Sequence, residues 1–588
     1  MQFLEVSKYL EKLEATTLRN SMVEILSELF AKVPASEIDK ITYLMQGRVA
    51  PLYVALEFGM ADKMMIKAMA KAYGEDGKEI LKLFKKIGDL GGVVEQLSQN
   101  KGIKGANLSV VDVFNNLKKV AQTNGLGSVD AKTEIISELL KSLDPLSSRF
   151  VARIPVGKLR LGFSDMTVLD ALSWTLSKSK KERPEIEKVY NFHPDLGFIA
   201  KELKENGLKG LTRVKPEVFT PILMAKAERL SSGEEIIEKV GKCAVEPKID
   251  GFRLQAHFDG KNVKLVTRNL EDATFMYPDV IKGIKEQIET KEVIFEGEAI
   301  AYNPLTGEFL PFQQTVQRKR KYNIGSVSSA IPLKLIAFDL LYLNGESLIN
   351  KPYIERRKQL EKIVKKGDVV ILSEEKVLEK ASDIEMEFQE AVSLGLEGVM
   401  AKRLEGVYQA GARSWNWIKY KRSYSGKLED TIDAVVMGYN SGKGKRTGFG
   451  LGAFLIGVYD DRHDMFVTVS KIGTGLTDQE WRDLYERASK IKTDKKPPLY
   501  DVDKMLAPDV WVKPLIVVEI RADEITRSPI HTAGRKLKPS KSGEAFNVET
   551  PGFALRFPRL ERFRDKKPED ATTISEIKEM YKSQRKEK

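Results

Sequence analysis

The amino-acid sequence predicts a multidomain protein with an all-α first domain, an α+β second domain and a small β-barrel as its third domain. The chain has 588 residues, more than one hydrophobic core usually organises. The spacing of apolar residues changes from a helical to a strand period between residues 207 and 221, and a second shift follows Tyr424-Ser425-Gly426. We therefore predict domains at residues 1–215, 216–425 and 426–588.

The first domain carries the pattern of amphipathic helices. Apolar residues such as Val6, Leu10 and Leu13 recur at intervals of three and four, which places them on one face of a helix. Glycine and proline joints at residues 74–77 and 144–145 predict helix ends and chain reversals. Strand-like alternation is rare here, so an all-α domain is expected.

The second and third domains contain short runs that are rich in β-branched and aromatic residues and are bounded by turn residues. In the second domain these predicted strands are 263–267, 293–302 and 333–343. In the third domain they are 434–436, 453–459, 466–469 and 512–520. The last stretch, residues 578–588, is charged and is predicted to be a solvated tail.

The composition indicates a globular protein with a basic surface. Apolar residues make up 42% and charged residues 31%, which suffices for packed cores. The net charge of +12 favours a polyanionic partner such as nucleic acid. The single cysteine, Cys243, excludes an intramolecular disulfide framework and a Cys-rich zinc site. The sequence shows no signal peptide and no membrane span, so we expect a soluble, intracellular, cytoplasmic protein.

The segment 246–253, Glu-Pro-Lys-Ile-Asp-Gly-Phe-Arg, contains a candidate nucleophile. Lys248 has an acid, a glycine and an arginine beside it, so that the backbone can approach a phosphate closely and a cation can hold it. Nearby cations and partial burial would favour the neutral amine, which can attack phosphorus. An exposed lysine in a turn is the alternative interpretation.

Charged residues downstream supply what phosphate chemistry needs. Arg268 follows a predicted strand and is a candidate phosphate ligand, although a surface arginine is the simpler interpretation. The strand period places Glu296 and Glu298 on one face, where a divalent cation would relieve their repulsion; a solvated face would also explain them. Glu397 enters an apolar strand and is a candidate third acid of a Mg²⁺ site.

Two further elements complete the candidate site. Lys419 and Lys421 fall on one strand face, where they could grip the α-phosphate of a nucleotide and help to generate the neutral amine of Lys248. Phe338 and Asp339 point to opposite faces of their strand, and an aromatic ring at a pocket wall can stack on a base. Taken alone, each lysine is equally well explained as a surface charge, and an aromatic residue in a strand is most often part of a core.

Taken in order, these segments resemble the motif series of covalent nucleotidyltransferases. The series comprises 248–251 (KIDG), 267–269 (TRN), 296–298 (EGE), 338–339 (FD), 397–399 (EGV), 419–421 (KYK) and 564–566 (RDK). The resemblance to archaeal-type ATP-dependent DNA ligases covers nearly the whole chain, including 157–162 (GKLRLG) and 317–322 (QRKRKY).

The resemblance implies ATP and Mg²⁺ as cofactors and a nick in duplex DNA as the substrate, in replication, repair and recombination. It implies a helical DNA-binding domain, an adenylation domain and an OB-fold domain. Lys248 would take the AMP, and Glu298 and Glu397 would serve the metal or the ribose. Residues implied to contact the nucleotide are Glu246, Arg253, Arg268, Phe338, Arg413, Lys419, Lys421, Arg564 and Lys566. Arg564 and Lys566 would act only during the first step.

The resemblance also sets expectations about partners and departures. It implies a monomer, and a sliding clamp as a further partner, although no docking peptide is evident. Pro247 departs from relatives, which usually have another residue there, and it removes a backbone donor beside Lys248.

Rival functions fit the sequence less well. An RNA ligase or mRNA capping enzyme would share the Lys248 chemistry, but the large helical first domain argues against both. An NAD-dependent ligase needs four cysteines for its zinc site, whereas this chain has one. A non-catalytic DNA-binding scaffold would explain the charge but not the order of the motifs.

Overall fold

The computed structural model describes residues 1–304, 309–310, 312–319, 324–393, 396–421, 431–442, 450–473, 476–539, 546–556 and 558–583. The chain divides into two compact units, Met1–Lys421 and Arg422–Lys588. The predicted shift at residues 424–426 and the end of the 317–322 motif, residues 320–322, lie outside the described residues.

The first part of the Met1–Lys421 unit is helical, as the sequence predicts. Its helices are α1 (Phe3–Glu14), α2 (Arg19–Lys32), α3 (Ala35–Met45), α4 (Asp62–Tyr73), α5 (Gly77–Ile87), α6 (Leu90–Asn100), α7 (Val110–Gln122), α8 (Ser128–Ser142), α9 (Pro145–Arg153), α10 (Asp165–Ser177), α11 (Arg183–Phe192) and α12 (Leu196–Leu211).

Local chemistry explains where these helices begin and end. Helix α4 ends at Gly74, which adopts φ +68°, a left-handed conformation that glycine enters without a steric penalty. Helix α9 begins at Asp144-Pro145, where the Asp144 carboxylate accepts a hydrogen bond from the Ser147 N–H and Pro145 occupies the first turn. Val6, Leu10 and Leu13 of α1 are buried in the helical core, as their spacing predicts.

The second part of this unit is an α+β region built on two sheets. Its strands are β1 (Lys226–Arg229), β2 (Cys243–Lys248), β3 (Phe252–Phe258), β4 (Val263–Thr267), β5 (Val293–Ala301), β6 (Leu333–Leu343), β7 (Glu346–Ser347), β8 (Val370–Leu372), β9 (Lys376–Leu378), β10 (Gly398–Arg403) and β11 (Arg413–Lys421). Its helices are α13 (Gly233–Val240), α14 (Pro278–Gln287), α15 (Phe312–Thr315), α16 (Ile324–Ala330), α17 (Tyr353–Ile363) and α18 (Ala381–Ser393).

The sheet topology brings the functional segments of the sequence together. One sheet has the order β1-β11-β10-β2-β9, so the strands that carry Lys248, Lys419 and Lys421 flank β10. The other has the order β4-β3-β5-β6-β7, with β8 pairing β6 in parallel. The helical core extends into this region through Tyr408 and Trp417, so the two parts share packed side chains.

The Arg422–Lys588 unit is rich in strands. They are β12 (Ile432–Ser441), β13 (Leu451–Asp460), β14 (Met465–Ile472), β15 (Lys492–Thr493), β16 (Tyr500–Asp501), β17 (Val510–Val512), β18 (Val517–Arg521), β19 (Glu524–Ser528), β20 (Lys536–Pro539), β21 (Phe546–Thr550), β22 (Gly552–Arg556) and β23 (Arg559–Arg564). Its helices are α19 (Asp478–Ser489) and α20 (Ile574–Ser583). The main sheet has the order β15-β17-β12-β13-β14-β16, and β18 joins β12 to β23.

Two sequence predictions in this unit are wrong. The predicted strand 512–520 is two strands, β17 and β18, because Pro514 lies between them and has no N–H to donate to a ladder. The predicted tail at 578–588 is a helix as far as Ser583, since α20 buries Ile577 and Tyr581 in the core of the unit; residues 584–588 lie outside the described part. Two buried residues at helical spacing, Ile577 and Tyr581, therefore anchor this otherwise charged helix.

None of the described helices combines the length and apolar character that crossing a membrane requires.

Candidate active site

A pocket of about 470 Å³ opens between the two sheets of the α+β region. Strands from both sheets line it. Lys248 and Lys421 lie at one end, and the aromatic rings of Phe338 and Trp417 lie at the other, beside Lys402. The predicted site residues in its wall are Glu246, Lys248, Arg253, Arg268, Glu298, Phe338, Glu397, Arg413, Lys419 and Lys421. Residues far apart in the sequence therefore converge as the motif order predicts.

Lys248 is the last residue of β2, and its ammonium group forms an ion pair with the Glu397 carboxylate. The backbone also joins these residues, because the Glu397 N–H donates to the Lys248 carbonyl at 3.1 Å. Lys421 Nζ binds the other oxygen of Glu397 at 2.7 Å. Burial raises the pKa of Glu397, but Lys248 and Lys421 outweigh burial, so its pKa lies below the usual value.

Gly251 allows the Lys248 loop to lie close against the neighbouring strand. A Cβ atom at this position would come within 2.4 Å of the Ala299 carbonyl oxygen of β5. The glycine of the 248–251 motif therefore serves a close backbone approach, which places the loop between the two sheets.

Cations concentrate around Lys248. Burial, together with Arg229, Lys421 and Lys248, lowers the pKa of Lys419 to about 8. Arg413 lies 3.9 Å from Glu228 and is half exposed, and Arg268 is an exposed residue of the pocket wall just after β4. This concentration of positive charge suits a polyphosphate ligand.

The acids of the 296–298 motif take different positions. Glu298 lines the pocket, and burial raises its pKa to about 7, with smaller contributions from neighbouring charges such as Lys248 and Glu397. Glu296 is fully buried and is paired with Arg253 at 2.7 Å. Arg253 thus neutralises Glu296 within the fold, and the metal role of Glu298 stays a prediction.

Hydrogen bonds to neighbouring residues hold the Arg253 side chain in one orientation. It donates to Glu296 and, at 2.7 Å, to the Ala225 carbonyl, and its guanidinium lies 5.5 Å from the Phe338 ring centre and 5.0 Å from that of Trp417. Its Nε is buried and has no hydrogen-bond partner among the described residues. Arg253 thus lines the pocket, but it forms its hydrogen bonds to Ala225 and Glu296 within the protein.

The far end of the pocket is shaped for a flat, partly polar group. Phe338 contacts Trp417 edge to face, with ring centres 5.9 Å apart, and Met400 forms part of the same wall. Glu246 is only 3% exposed, and its carboxylate pairs with Lys402 Nζ at 2.8 Å. A purine base has this combination of a flat ring and polar edges.

Sequence reasoning missed three residues that act behind this end of the pocket. Lys402 is buried and touches Glu246, Tyr353 is buried and donates to Glu246 at 2.6 Å, and Glu375 contacts Tyr353. The alternation of side chains along a strand could have identified Lys402, because Met400 and Lys402 lie on the same face of β10 and both line the pocket. Tyr353 and Glu375 come from a helix and a loop and carried no such signal.

Arg564 and Lys566 belong to the Arg422–Lys588 unit. Arg564 ends β23 and lies 3.1 Å from Glu519 and 3.4 Å from Asp433, while Lys566 Nζ lies 2.6 Å from Asp433. Their charges are therefore partly balanced within their own unit.

In the 317–322 motif, Arg318 is paired with Asp279 at 2.5 Å and Lys319 lines the pocket.

Comparison with known proteins agrees with this architecture. Family models match in three consecutive parts of the chain: DNA ligase N terminus at residues 2–173, ATP dependent DNA ligase domain at 224–421 and ATP dependent DNA ligase C terminal region at 447–567. A solved structure titled Pmar-Lig_PreS3 has a similar fold, with a TM-score of 0.54 and 17% identity over 95% of this chain and 99% of that one.

Relatives are similar over their whole length. Probable DNA ligase from Dictyoglomus turgidum is 49% identical over 100% of this chain and 99% of its own. DNA ligase 2 from Thermofilum pendens is 43% identical over 99% of this chain and 97% of its own. These matches define the class of protein, an enzyme that joins nucleic-acid strands. The chain belongs to the ATP-dependent DNA ligase family, whose activity is the ATP-driven sealing of nicks in DNA.

Proposed function

We propose that Lys248 is the residue that carries the adenylyl group during ligation. One observation supports this most strongly: Lys248 lies in the pocket wall between an acid, Glu397, and a group of cations that includes Lys419 and Lys421. A lysine in this position faces the ligand, and the surrounding positive charge favours a triphosphate.

In the first step the Nζ of Lys248 attacks the α-phosphorus of ATP. A phosphorus–nitrogen bond forms, the bond to the β-phosphate oxygen breaks, and pyrophosphate leaves. Before attack the ammonium must lose a proton and leave its ion pair, and Glu397 is the carboxylate in contact with it. Lys419 and Lys421 would balance the charge of the phosphates, and Arg268 and Arg413 at the pocket wall would help.

The residues present fit a Mg²⁺ site shared with the substrate. The described residues contain no group of three or more His, Cys, Asp or Glu placed to hold a metal ion. Mg²⁺ in nucleotide enzymes, however, is usually held by one or two carboxylates together with substrate phosphates and water. Glu298 and Glu397, which both line the pocket, would hold it in this way. Bound there, Mg²⁺ would supply charge neutralisation to the phosphates.

The remaining two steps transfer the adenylyl group and close the strand. The 5′-phosphate oxygen at the nick attacks the phosphorus of lysyl-AMP, which forms a phosphoanhydride and releases the Lys248 amine. The 3′-hydroxyl oxygen then attacks the phosphorus of the 5′-phosphate and forms the phosphodiester bond. The bond from that phosphorus to the bridging anhydride oxygen breaks, and AMP leaves with its electron pair. The 3′-hydroxyl proton passes to solvent or to a basic group.

At the other end of the pocket, Phe338 would stack on the adenine and Glu246 would face its polar edge. The edge-to-face contact with Trp417 holds the Phe338 ring at the wall, and the ion pair with Lys402 holds the Glu246 carboxylate. Arg253, which Glu296 fastens beside the Phe338 ring, would border the nucleotide.

We further propose the division of labour that the sequence indicates, with a DNA-binding domain at 1–215, an adenylation domain at 216–425 and an OB-fold domain at 426–588. The net charge of +12 supports contacts to the DNA backbone, which suit an enzyme that must act at any sequence. We propose that the protein acts inside the cell as a monomer on nicked duplex DNA, with a sliding clamp as a further partner.

The experiment that tests the role of Lys248 follows the label of ATP radiolabelled at its α-phosphate. The wild-type protein with Mg²⁺ should become labelled, and a chase with nicked duplex DNA should release the label as AMP while the nick closes. Lys248→Ala should take up no label, and Lys248→Arg serves as the matched variant that keeps the charge. Label on Lys248→Ala would refute the assignment, and release only by nicked RNA would point to an RNA ligase.

A further inference from the structure

A chain of hydrogen bonds runs behind the buried end of the pocket. Glu375, in the loop before β9, contacts the hydroxyl of Tyr353, the first residue of α17. That hydroxyl lies 2.6 Å from Glu246 Oε1, and Lys402 Nζ lies 2.8 Å from the same oxygen. Tyr353 is 1% exposed and Lys402 is 1% exposed, so solvent does not replace these contacts.

The contacts leave one oxygen of Glu246 for a ligand. Both side-chain hydrogen bonds to Glu246 end on Oε1, and no hydrogen bond from the described residues reaches Oε2. Lys402 has no spare donor, because its three N–H groups face Glu246, the Phe338 carbonyl at 3.0 Å and the Tyr353 oxygen at 3.5 Å. Glu246 itself forms part of the pocket wall.

The hydroxyl of Tyr353 has a single hydrogen but touches two carboxyl groups. It cannot donate to both, and two ionised carboxylates on one phenol oxygen would leave an acceptor facing an acceptor. All contacts are satisfied if Glu375 holds a proton and donates it to the Tyr353 oxygen, while Tyr353 donates to Glu246. Burial raises the pKa of Glu375, in keeping with this arrangement, and Glu246 is the acid that pairs with Lys402.

We propose that Tyr353 and protonated Glu375 are positioning residues that orient Glu246 so that its Oε2 accepts a hydrogen bond from the 6-amino group of adenine. The inference rests on the proposed function, in which this pocket binds ATP. An ionised carboxylate held in one orientation accepts from an amino group and repels a 6-oxo group, so the arrangement determines which purine is taken.

The helix that carries Tyr353 does not depend on the phenol for its anchoring. Arg356, one turn further along α17, is fully buried and binds Asp339 with two nitrogens, at 2.7 and 2.8 Å. Arg357 donates to the Ser373 carbonyl at 2.8 Å. Loss of the Tyr353 hydroxyl should therefore change the Glu246 carboxylate rather than unfold the helix.

The test compares ATP with purine riboside triphosphate, which has hydrogen in place of the 6-amino group. Formation of the nucleotidyl-protein adduct is followed by intact-protein mass spectrometry in single-turnover reactions over a range of nucleotide concentrations. For Tyr353→Phe, the preference for ATP over the analogue should fall toward unity, by about tenfold, because a charge-assisted hydrogen bond is misaligned. The reaction with the analogue should be nearly unchanged.

A ratio of two nucleotides is independent of the fraction of folded protein, which separates positioning from stability. Tyr408→Phe is the matched control, since the buried Tyr408 hydroxyl also donates to a carboxylate, that of Glu296, at 2.9 Å. This variant should change the rates of adduct formation with both nucleotides equally. Glu375→Gln should keep the preference within about twofold, because its amide N–H replaces the proposed O–H donor.

The outcomes separate this inference from the proposed function. Equal loss for both nucleotides in Tyr353→Phe would overturn the positioning role of Tyr353. Loss of the preference in Glu375→Gln would overturn the assigned proton. Failure of the wild-type protein to form any adduct would instead overturn the proposed role of the pocket.

Discussion

Lys419 is a residue whose charge should change within an accessible range of pH. Its pKa is lowered to about 8, mainly by burial and then by nearby cations, so the ammonium is charged below pH 8 and becomes neutral above it. A charged lysine binds phosphate and a neutral one does not, so affinity for ATP should fall as the pH rises through 8, by about tenfold at most. The KM for ATP in adenylyl-protein formation between pH 7 and 9.5 measures this effect.

Lys419→Arg provides the control for this prediction. An arginine keeps its charge over the whole range, so the variant should lose the rise in KM even if its absolute affinity differs. An identical rise in both proteins would show that another group titrates.

At the scale of single residues, the sequence identified candidate site residues whose charge is unusual for the segment that contains them. Lys248, Glu397 and Lys421 stand out among apolar neighbours, and the structure brings their charged groups into contact. Tyr353 and Glu375 could not be predicted, because their importance comes from a tertiary contact with Glu246 that no local pattern records.

At the scale of elements, the ion pair between Arg356 and Asp339 joins α17 to β6. Both side chains are fully buried, and Arg356 also donates to the carbonyls of Lys351 and Gly406. Arg356→Met should destabilise the protein by about 3–5 kcal/mol, since it leaves the Asp339 charge buried without a partner. The midpoint of urea unfolding, followed by tryptophan fluorescence, measures the loss.

The double variant Arg356→Met/Asp339→Leu tests the reason for this loss. Removing both charges should recover much of the stability, because the cost lies in one unpaired buried charge. A double variant that is as unstable as the sum of the two single variants would show that lost packing is the cause.

The elements themselves were predictable where one pattern dominated. The strands 263–267 and 333–343 match β4 and β6, since long apolar runs bounded by turns have few alternatives. The error at 512–520 came from neglecting Pro514, and the error at 578–583 came from giving charge more weight than two apolar residues at helical spacing. In both cases a single residue or pair decided the local structure.

At the scale of the whole molecule, the order of the motifs in the Met1–Lys421 unit predicted the convergence of their residues on one pocket better than any single motif did. The strands that carry them interleave in two sheets, with β2 and β11 on either side of β10, and this order arises from long-range pairing. Sequence spacing cannot specify such pairing, because the same strands could be arranged in several ways. The resemblance to a family supplied the missing constraint.

Two cations of the Arg422–Lys588 unit, Arg564 and Lys566, lie at and just after the end of β23. We propose that Arg564 and Lys566 serve the first step of the reaction, formation of lysyl-AMP, and not the final one. Their partners Asp433 and Glu519 are largely buried, whereas the side chains of Arg564 and Lys566 are 26% and 37% exposed, so the two cations remain accessible to a phosphate. Arg564→Ala/Lys566→Ala should slow adenylyl-protein formation by about 100-fold, as two charge-assisted contacts are lost.

The same double variant should seal a nick that already carries AMP on its 5′-phosphate within about twofold of the wild-type rate. The control is Arg562→Ala, because Arg562 lies on the same strand and binds Glu519 at 2.6 Å, so its removal perturbs the same acid. That variant should be unaffected in both assays. Equal slowing of both steps in the double variant would mean that the two cations stabilise the unit or bind DNA, because a loss confined to ATP chemistry cannot slow a reaction that needs no ATP.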